Sequence, residues 1–169
     1  MRNVVENNEN NQLKIENVDL KELSIILELQ KLCYKENAVR YNDYKIPPMV
    51  QTIEELQEEF SHGLILKAVE ESKIIGSIRA YEKDNVCYIG RVIVHPNFQN
   101  KGIGRRLMND IESSYPKCSK FELYTGFKDE KNIYFYRKLG YKIFKEELLS
   151  DKVKFLFLEK INIVSPEVI

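Results

Sequence analysis

A basic loop that contains two glycines lies between an apolar segment ending at Val94 and an amphipathic segment that follows it. The loop reads QNKGIGR over residues 99–105, so Lys101 and Arg105 flank the glycines. If a helix begins here, its first turn leaves about four backbone N–H groups unpaired and carries roughly half a positive charge. Such amides beside basic side chains favour an anion, and a pyrophosphate fits them. We therefore expect an anion site in which Gly102 and Gly104 let the ligand approach the backbone.

Other interpretations of this loop require particular motifs, which can be compared with the sequence. A dinucleotide-binding fingerprint needs a third glycine where this chain has Leu107, and the Gly-Lys-Ser/Thr of a Walker loop is missing. Two alternatives stay open. Gly102 could merely shape a turn, or Arg105 and Arg106 could belong to a DNA-recognition helix, which the balanced net charge disfavours.

Apolar spacing predicts the elements that must hold this loop in place. Residues 36–51 show no helical period, and Pro47 and Pro48 should exclude a helix there. Asp19 with Glu22, and Thr52 with Glu55, look like capping boxes. Strands are expected over residues 12–18, 64–69, 73–81, 85–95, 120–125, 141–147 and 152–161. Helices are expected over residues 19–34, 52–63, 102–114 and 129–139, the last capped by Asp129 and ended by Gly140.

The resulting order, β-α-α-β-β-β-α-β-α-β-β, predicts an α/β (α+β) fold in a single domain. Its sheet should be mixed but mostly antiparallel, with about seven strands flanked by about four helices. The step from Val94 through the next helix to Phe121 is a βαβ unit, which forces one parallel strand pair. We expect a cleft at that junction, beside the glycine-bearing loop.

Composition limits the class of protein. A chain of 169 residues suits one domain, expected at residues 12–163 after a disordered, Asn- and Glu-rich lead-in at residues 1–11. Lys+Arg and Asp+Glu number 26 each, so no overall charge recruits nucleic acid or an anionic membrane. The sequence has no 18-residue apolar run, and we expect no signal peptide. Three cysteines without CxxC spacing indicate reduced thiols in a cytoplasmic protein and no metal site.

Two segments resemble the signature motifs of the GNAT N-acetyltransferase superfamily. Residues 92–104, VIVHPNFQNKGIG, are similar to its apolar strand end, proline and Q/R-x-x-G-x-G/A helix start. Residues 132–141, NIYFYRKLGY, are similar to its Asn-Ile-x-x-Tyr-x-Lys-Leu-Gly-Tyr/Phe helix and turn. The resemblance covers about residues 12–160, and the family has the element order given above. It implies an N-acetyltransferase that transfers an acetyl group from acetyl-CoA to an amine.

The resemblance also implies where acetyl-CoA would lie. It would occupy a V-shaped gap between the fourth and fifth strands, bonded to main-chain groups of Val92, Ile93 and Val94 at a bulge. One of these N–H groups would polarise the thioester carbonyl. The pyrophosphate would lie on the loop, and Gln99 would add a side-chain bond. The backbone amides expected to hold it belong to Gln99, Asn100, Lys101, Gly102, Ile103, Gly104 and Arg105.

Two residues of the second motif acquire roles in the same way. Asn132 would contact the pantetheine arm, although a first-turn helix residue with no ligand is an equal alternative. Tyr136 would be the general acid that protonates the leaving thiolate, since a phenol within hydrogen-bond reach can do so. The alternative for Tyr136 is a packing residue.

The base and the acceptor site are not determined by the sequence. The histone-acetylating branch carries a glutamate on the strand before the valine motif, but residues 86–90 hold no acid here. Glu82 and Glu122 are candidates, each with a solvent-facing alternative. The segment 40–50 should line the acceptor pocket, or else be a surface loop; its candidate residues are Arg40, Tyr41, Tyr44 and Met49. Small amines, amino acids, peptides and antibiotics all stay open as acceptors.

A second function is compatible with the same motifs. The chain could be a non-catalytic acyl-CoA-binding sensor, which the intact Tyr136 disfavours and the unassigned base favours. None of the cysteines is placed by a motif to carry an acyl group, and Cys87 and Cys118 are expected to pack in the core. Homodimers are common for this family, but no feature of the sequence demands one.

Overall fold

The structure, a computed structural model, describes residues 12–163, so the expected lead-in at residues 1–11 lies outside the described residues. Strands and helices alternate along this range, and two short 3-10 turns, Leu20–Glu22 and Pro96–Phe98, join some of them. The strands are β1 Lys14–Asn17, β2 Leu64–Glu70, β3 Lys73–Lys83, β4 Val86–Val94, β5 Lys120–Gly126, β6 Lys142–Ser150 and β7 Val153–Ile161. The helices are α1 Leu23–Tyr41, α2 Pro47–Val50, α3 Ile53–His62, α4 Ile103–Ser113 and α5 Glu130–Lys138.

One mixed sheet contains these strands in the order β1-β2-β3-β4-β5-β7-β6. Strands β2, β3 and β4 form the antiparallel meander that their short polar turns predict. Strands β4 and β5 are parallel because α4 carries the chain back between them. The last strand, β7, lies between β5 and β6 and is antiparallel to both. The expected fold class and element order are confirmed, with one additional short helix, α2.

Helices cover both faces of the sheet because successive residues of a strand point to opposite sides. On one face, α4 buries Leu107, Met108 and Ile111 against the larger core. On the other, α1 and α3 bury Leu23, Ile26 and Leu56 against Ile65 of β2. The amphipathic pattern of α4 therefore orients the helix and fixes where its first turn meets the sheet.

The prediction for residues 36–51 is wrong in two respects. Helix α1 continues past Tyr34 to Tyr41, and Asn42, with φ 49° and ψ 43°, is its left-handed C-cap. The prolines occupy the first turn of α2, where a missing N–H costs no helical hydrogen bond. Buried Gln30 of α1 holds α2 in place, because its Nε2 donates to the Pro48 carbonyl at 2.9 Å.

Side chains cap two of the helical segments as the sequence predicts. The Asp19 N–H donates to Glu22 Oε2 at 2.9 Å, and the Glu55 N–H donates to Thr52 Oγ1 at 3.2 Å. Asp129 lies at the N-cap position of α5, but its side chain makes no capping hydrogen bond. The expected cap is therefore wrong, because the Asp129 carboxylate is engaged by α1 instead.

Candidate functional site

The parallel strands β4 and β5 separate partway along their length. They pair only through Val86↔Lys120, Cys87↔Phe121 and Tyr88↔Glu122. Beyond Tyr88, β5 continues to pair with β7, while β4 stays paired with β3 on its other side. The edge of β4 that faces β5 has no strand partner in the described residues from 89 to 94. The V-shaped gap that the family resemblance implies is thus present.

A β-bulge lies in β4 beside this gap. The register with β3 passes from Arg79↔Gly90 to Ser77↔Ile93, so two residues of β4 lie opposite one of β3. Arg91 takes up the irregularity with φ 50°, a left-handed conformation that is unusual for a residue with a Cβ. The bulge reverses the side-chain alternation, so Val92 packs on the same core as Ile89. It also turns main-chain groups out of regular pairing at the mouth of the gap.

The glycine-bearing loop presents a run of free backbone amides at the end of β4. No N–H group from Gln99 to Arg105 donates a hydrogen bond to any atom within residues 12–163, whereas the Arg106 N–H donates to the Gly102 carbonyl at 3.1 Å. Gly102, the N-cap of α4, has φ 80°, and a Cβ built there would meet nothing within 4 Å. Seven successive unpaired amides at a helix N-terminus are an arrangement that can hold an anion, which is the geometry that the expected site requires.

Side chains of the loop mostly leave this site open. Gln99, Lys101 and Arg105 are exposed, whereas Ile103 is buried in the core, so only its amide can face a ligand. The Gln99 Nε2 donates to the Val94 carbonyl at 3.2 Å, which ties the loop back to the strand. The Asn100 backbone has φ 61°, a left-handed conformation that asparagine tolerates.

Gly104 has a close neighbour that the sequence does not predict. A Cβ at this position would lie 3.2 Å from Phe135 Cζ, so the missing side chain makes room for helix α5. A Cβ at Gly102 meets open space, so there the positive φ and not a neighbour favours glycine.

Three adjoining cavities extend along the gap. The loop-side cavity, about 330 Å³, is lined by Val92, Ile93, Val94, Gln99 and Asn132, together with residues of α1 and of the turn before α5. The central cavity, about 390 Å³, shares Val92 and Asn132 with it and is closed by α2 and Tyr136. The outer cavity, about 420 Å³, shares Gly90 and Arg91 with the central one and opens beside α3. The shared residues show that each cavity adjoins the next.

Tyr136 presents its phenol to the central cavity. The residue is 7% exposed and lines that cavity together with Asn132, which lies one turn earlier on α5. Its hydroxyl bonds to no other described residue, whereas the nearby Tyr141 donates to Glu112 Oε1 at 2.8 Å. Burial raises the pKa of Tyr136, and the negative charge of Asp129 adds to the rise. The phenol therefore keeps its proton at neutral pH and can donate it to a group in the cavity.

The end of α1 is tied to the turn before α5, across the top of the gap. Asp129, 5% exposed, forms an ion pair with Arg40 and accepts a hydrogen bond from Asn37 Nδ2 at 3.1 Å. The Tyr41 hydroxyl accepts from the Lys128 N–H at 3.1 Å. Gly126 allows this contact, because a Cβ there would overlap the Tyr41 hydroxyl at 1.9 Å. These bonds hold together residues of α1 and of the turn before α5 that line the loop-side and central cavities.

Cysteine chemistry does not contribute to the site. Cys87 and Cys118 are fully buried, as the sequence predicts. Cys33 lines the loop-side cavity and its thiol donates to the Val94 carbonyl at 3.4 Å. Burial raises the pKa of the Cys33 thiol to about 12, so it is no thiolate nucleophile at neutral pH.

The residues expected around an acceptor are only partly brought together. Tyr41 lines the central cavity and Arg40 the loop-side cavity, but Tyr44 is 61% exposed and, like Met49, lines none of the three. Of the two carboxylate candidates, Glu122 lines the outer cavity, where Lys120 Nζ lies 2.7 Å from it, and Glu82 does not.

Sequence reasoning missed two basic residues at the outer cavity. Arg79 of β3 pairs with Glu59 at 2.8 Å and donates to Gln51 Oε1 at 3.0 Å, and burial lowers its pKa to about 10. Arg91 lies on the bulge and lines both the central and outer cavities. Its position inside the apolar strand VCYIGRVIV was the available signal, because a charge in a buried strand is rare without a partner.

Two further features are not found among the described residues. Within residues 12–163, no three His, Cys, Asp or Glu side chains come together in a way that could hold a metal ion. None of the helices in this range is long and apolar enough to cross a membrane.

Comparison with known proteins identifies the family. Residues 24–141, more than half of the chain, match the sequence profile of the acetyltransferase (GNAT) family. No curated protein matches the chain. Among solved structures, the fold is similar to the PaiA N-acetyltransferase of Thermoplasma acidophilum in complex with coenzyme A, with TM-score 0.75 and 21% identity over 89% of this chain and 99% of that one. It is also similar to the ribosomal-protein-S18-alanine N-acetyltransferase of Escherichia coli, with TM-score 0.75 and 11% identity over 94% and 99% of the two chains. The match to the family profile shows that this chain belongs to the GNAT acetyltransferase family.

Proposed function

We propose that residues 12–163 form one domain that transfers an acetyl group from acetyl-CoA to a primary amine of a small molecule, an amino acid or a peptide. The amine attacks directly, with both substrates bound at once. The single observation that carries this proposal is the run of unpaired amides at residues 99–105, next to the unpaired edge of β4. An anion at the amides and an extended arm along the edge match the two chemically distinct parts of coenzyme A.

The proposed binding roles use mainly the backbone. The amides from Gln99 to Arg105 hold the diphosphate, because they are unpaired and lie at the positive end of α4. Main-chain groups of Val92, Ile93 and Val94 pair with the amides of the pantetheine arm as an added strand would. Asn132 supports the arm from the α5 side, since it lines both the loop-side and central cavities.

The proposed chemistry takes place in the central cavity. The amine nitrogen forms a bond to the acetyl carbon, the carbon–sulfur bond breaks, and the sulfur leaves as a thiolate. Tyr136 gives its proton to that thiolate, and a buried, protonated phenol suits this role. The attacking nitrogen loses one proton as it becomes an amide, and a proton returned to Tyr136 restores the phenol. A main-chain N–H at the bulge stabilises the carbonyl oxygen while it carries negative charge.

The proton of the attacking amine leaves on the acceptor side. A lysine-type amine is mostly charged at neutral pH, because its pKa is about 10.4, so it must lose a proton before it attacks. We propose that water in the outer cavity accepts this proton. Glu122 is the one sequence candidate that lines the cavity, but Lys120 already neutralises its charge.

The test is a thiol-release assay with acetyl-CoA and a panel of amines, amino acids, peptides and aminoglycosides. Release of CoA that depends on one class of amine, with the acetylated amine identified by mass spectrometry, supports the proposal. Tyr134→Phe is a matched control for Tyr136→Phe, because Tyr134 lies on the same helix, is 62% exposed and lines none of the three cavities. Tight binding of acetyl-CoA without turnover of any amine would instead support a sensor.

A further inference from the structure

The strained residue of the bulge, Arg91, is the starting point. Arg91 lies in the middle of β4 with φ 50°. This left-handed conformation is sterically unfavourable for any residue that has a Cβ. Glycine would adopt this conformation without strain, and Gly90 precedes it. Backbone strain of this kind clusters at functional sites. The charged side chain that the strained backbone places here is therefore a candidate for a functional role.

The guanidinium of Arg91 has no anionic partner in the described part of the chain. Its Nε is buried and unbonded, and the group lies over the Tyr34 ring with Cζ 5.8 Å from the centroid. Five carboxylates line the same cavities, and none forms an ion pair with Arg91. Glu59 is engaged by Arg79, Glu122 by Lys120 and Asp129 by Arg40. Asp43 accepts from the Lys45 N–H at 2.8 Å, and Glu58 lies 3.4 Å from His62 Nδ1. Arg91 as a whole is half-buried, and since a guanidinium stays charged in proteins, one whose Nε is buried and unpaired favours an anion in the adjoining cavity.

The position of Arg91 indicates which substrate supplies this anion. Arg91 lines the central cavity, which Tyr136 also lines, and the outer cavity beside α3. It lines no part of the loop-side cavity, whose lining includes Gln99, the first residue of the run of unpaired amides. The pantetheine arm is neutral, and the 3′-phosphate of coenzyme A lies on the far side of the diphosphate from this arm, so no charge of the cofactor comes to Arg91. The anion therefore belongs to the acceptor.

We propose that Arg91 is the specificity-determining residue for the acceptor, and that the acceptor is an amine that also carries a carboxylate. Arginine can present two parallel N–H donors to a carboxylate, and the half-buried Arg91 lines both cavities in which the acceptor would lie. At the bulge, Arg91 then binds the acceptor, and the next residue, Val92, offers its main-chain groups to acetyl-CoA. This proposal rests on the proposed acetyltransferase function.

The test compares matched amine pairs, one with a carboxylate and one with the corresponding carboxamide, from glycine to 6-aminohexanoate and including L-amino acids. The readout is the ratio of kcat/KM for acid over amide in the wild type, divided by the same ratio in Arg91→Gln. This quotient cancels the different intrinsic reactivities of the two amines. We expect it to be about 10- to 100-fold, the value of a hydrogen bond between charged groups. KM for acetyl-CoA should change by less than about twofold.

Two further variants keep the result readable. Arg91→Lys retains the charge without the second parallel donor and should keep only part of the preference. Arg137→Gln removes an exposed arginine of α5 that lines none of the three cavities, and it should leave the quotient at one. A quotient of one for Arg91→Gln, in a variant with wild-type thermal stability, would overturn the proposal. So would a wild-type preference for O-phosphoethanolamine over every carboxylate.

A binding measurement separates this proposal from the proposed function. Calorimetry with CoA present compares N-acetylated acids and amides on wild type and Arg91→Gln. Acid-selective binding that is lost in Arg91→Gln supports the role of Arg91 even if no amine is turned over, an outcome that would reject only the proposed catalysis. Turnover of neutral amines with no acid-selective binding would reject the role of Arg91 alone.

Discussion

At the scale of single residues, Tyr136 carries the most specific chemical expectation. Tyr136→Phe removes only the hydroxyl, so packing against Phe135 and Tyr141 should persist. Because the phenol acts only when the thiolate leaves, kcat should fall about 100-fold or more. The dissociation constant for acetyl-CoA should stay within about twofold. Steady-state kinetics and equilibrium binding check both numbers, and an unchanged kcat would reject the role.

The raised pKa of Tyr136 predicts the pH dependence of the reaction. A general acid must be protonated, and burial holds this pKa above the ordinary value of about 10. The kcat/KM for an alkylamine acceptor should therefore rise with pH as the amine loses its proton, with no fall below about pH 10. A pH–rate profile tests this. A descending limb centred below pH 10 that disappears in Tyr136→Phe would contradict the expectation.

The sequence predicted some residues of this site and missed others. The loop at 99–105, Asn132 and Tyr136 could be found because they lie in contiguous motifs. Arg91 and the Arg40–Asp129 pair could not, because each depends on a non-local event: a register shift against β3 for the first, and contact between α1 and the α5 turn for the second. The contact between Gly104 and Phe135 could not be predicted either, because the two residues lie far apart along the chain.

At the scale of elements, the two loop glycines should respond differently to alanine. Gly102→Ala places a Cβ in open space but in a left-handed backbone, at a cost of about 1–2 kcal/mol. Gly104→Ala gains about 1 kcal/mol of helix propensity but overpacks against Phe135, which costs about 1–3 kcal/mol. Both variants should therefore unfold at lower urea concentration than the wild type.

A Phe135→Leu background distinguishes the overpacking expected for Gly104→Ala from the backbone strain expected for Gly102→Ala. In that background the ring that opposes a Cβ at residue 104 is gone, so Gly104→Ala should become neutral or stabilising. Gly102→Ala should keep its full cost, because its strain lies in the backbone. Equal costs for Gly104→Ala with and without the Phe135 ring would show that the helix contact does not explain this glycine.

The contact between α1 and the α5 turn gives a second prediction for elements. Arg40→Ala leaves the buried Asp129 carboxylate with Asn37 and Thr125 as its remaining partners. We expect a loss of about 1–3 kcal/mol in the free energy of unfolding, reduced from the value for a fully buried pair because Arg40 is 36% exposed. In an Asp129→Asn background, Arg40→Ala should cost much less, because residue 129 then has no charge that could be left without a partner.

Urea denaturation of the wild type, both single variants and the double variant measures this coupling. Arg106→Ala is a suitable control, since Arg106 is exposed and, among the described residues, its guanidinium bonds only to the Leu13 carbonyl at 3.0 Å. Additive losses for Arg40 and Asp129 would mean that the two side chains do not stabilise each other.

Helices and strands were predictable where their pattern is local. Capping boxes and apolar periodicity located α3 and α4, and short turns located the β2–β4 meander. The extension of α1 to Tyr41 was missed because its last turns face the gap and carry polar residues, such as Asn37 and Arg40, for contact with Asp129. The helix α2 was missed because prolines exclude the interior of a helix but not its first turn.

At the scale of the whole molecule, topology creates the site. A single parallel pair in an otherwise antiparallel sheet brings the N-terminus of α4 next to the point where β4 and β5 separate. The element order predicted this junction. The insertion of β7 between β5 and β6 did not follow from the order, although apolar residues on both sides of β7 are consistent with an internal strand.

The central claim is that the amides from Gln99 to Arg105 bind the diphosphate of coenzyme A. The most direct test is to follow the assigned amide resonances by NMR while coenzyme A, or pantetheine without the diphosphate, is titrated into the protein. Coenzyme A should shift these seven resonances and slow their hydrogen exchange, whereas pantetheine should affect mainly the edge of β4. Binding of coenzyme A that leaves the amides of residues 99–105 unchanged would contradict the account.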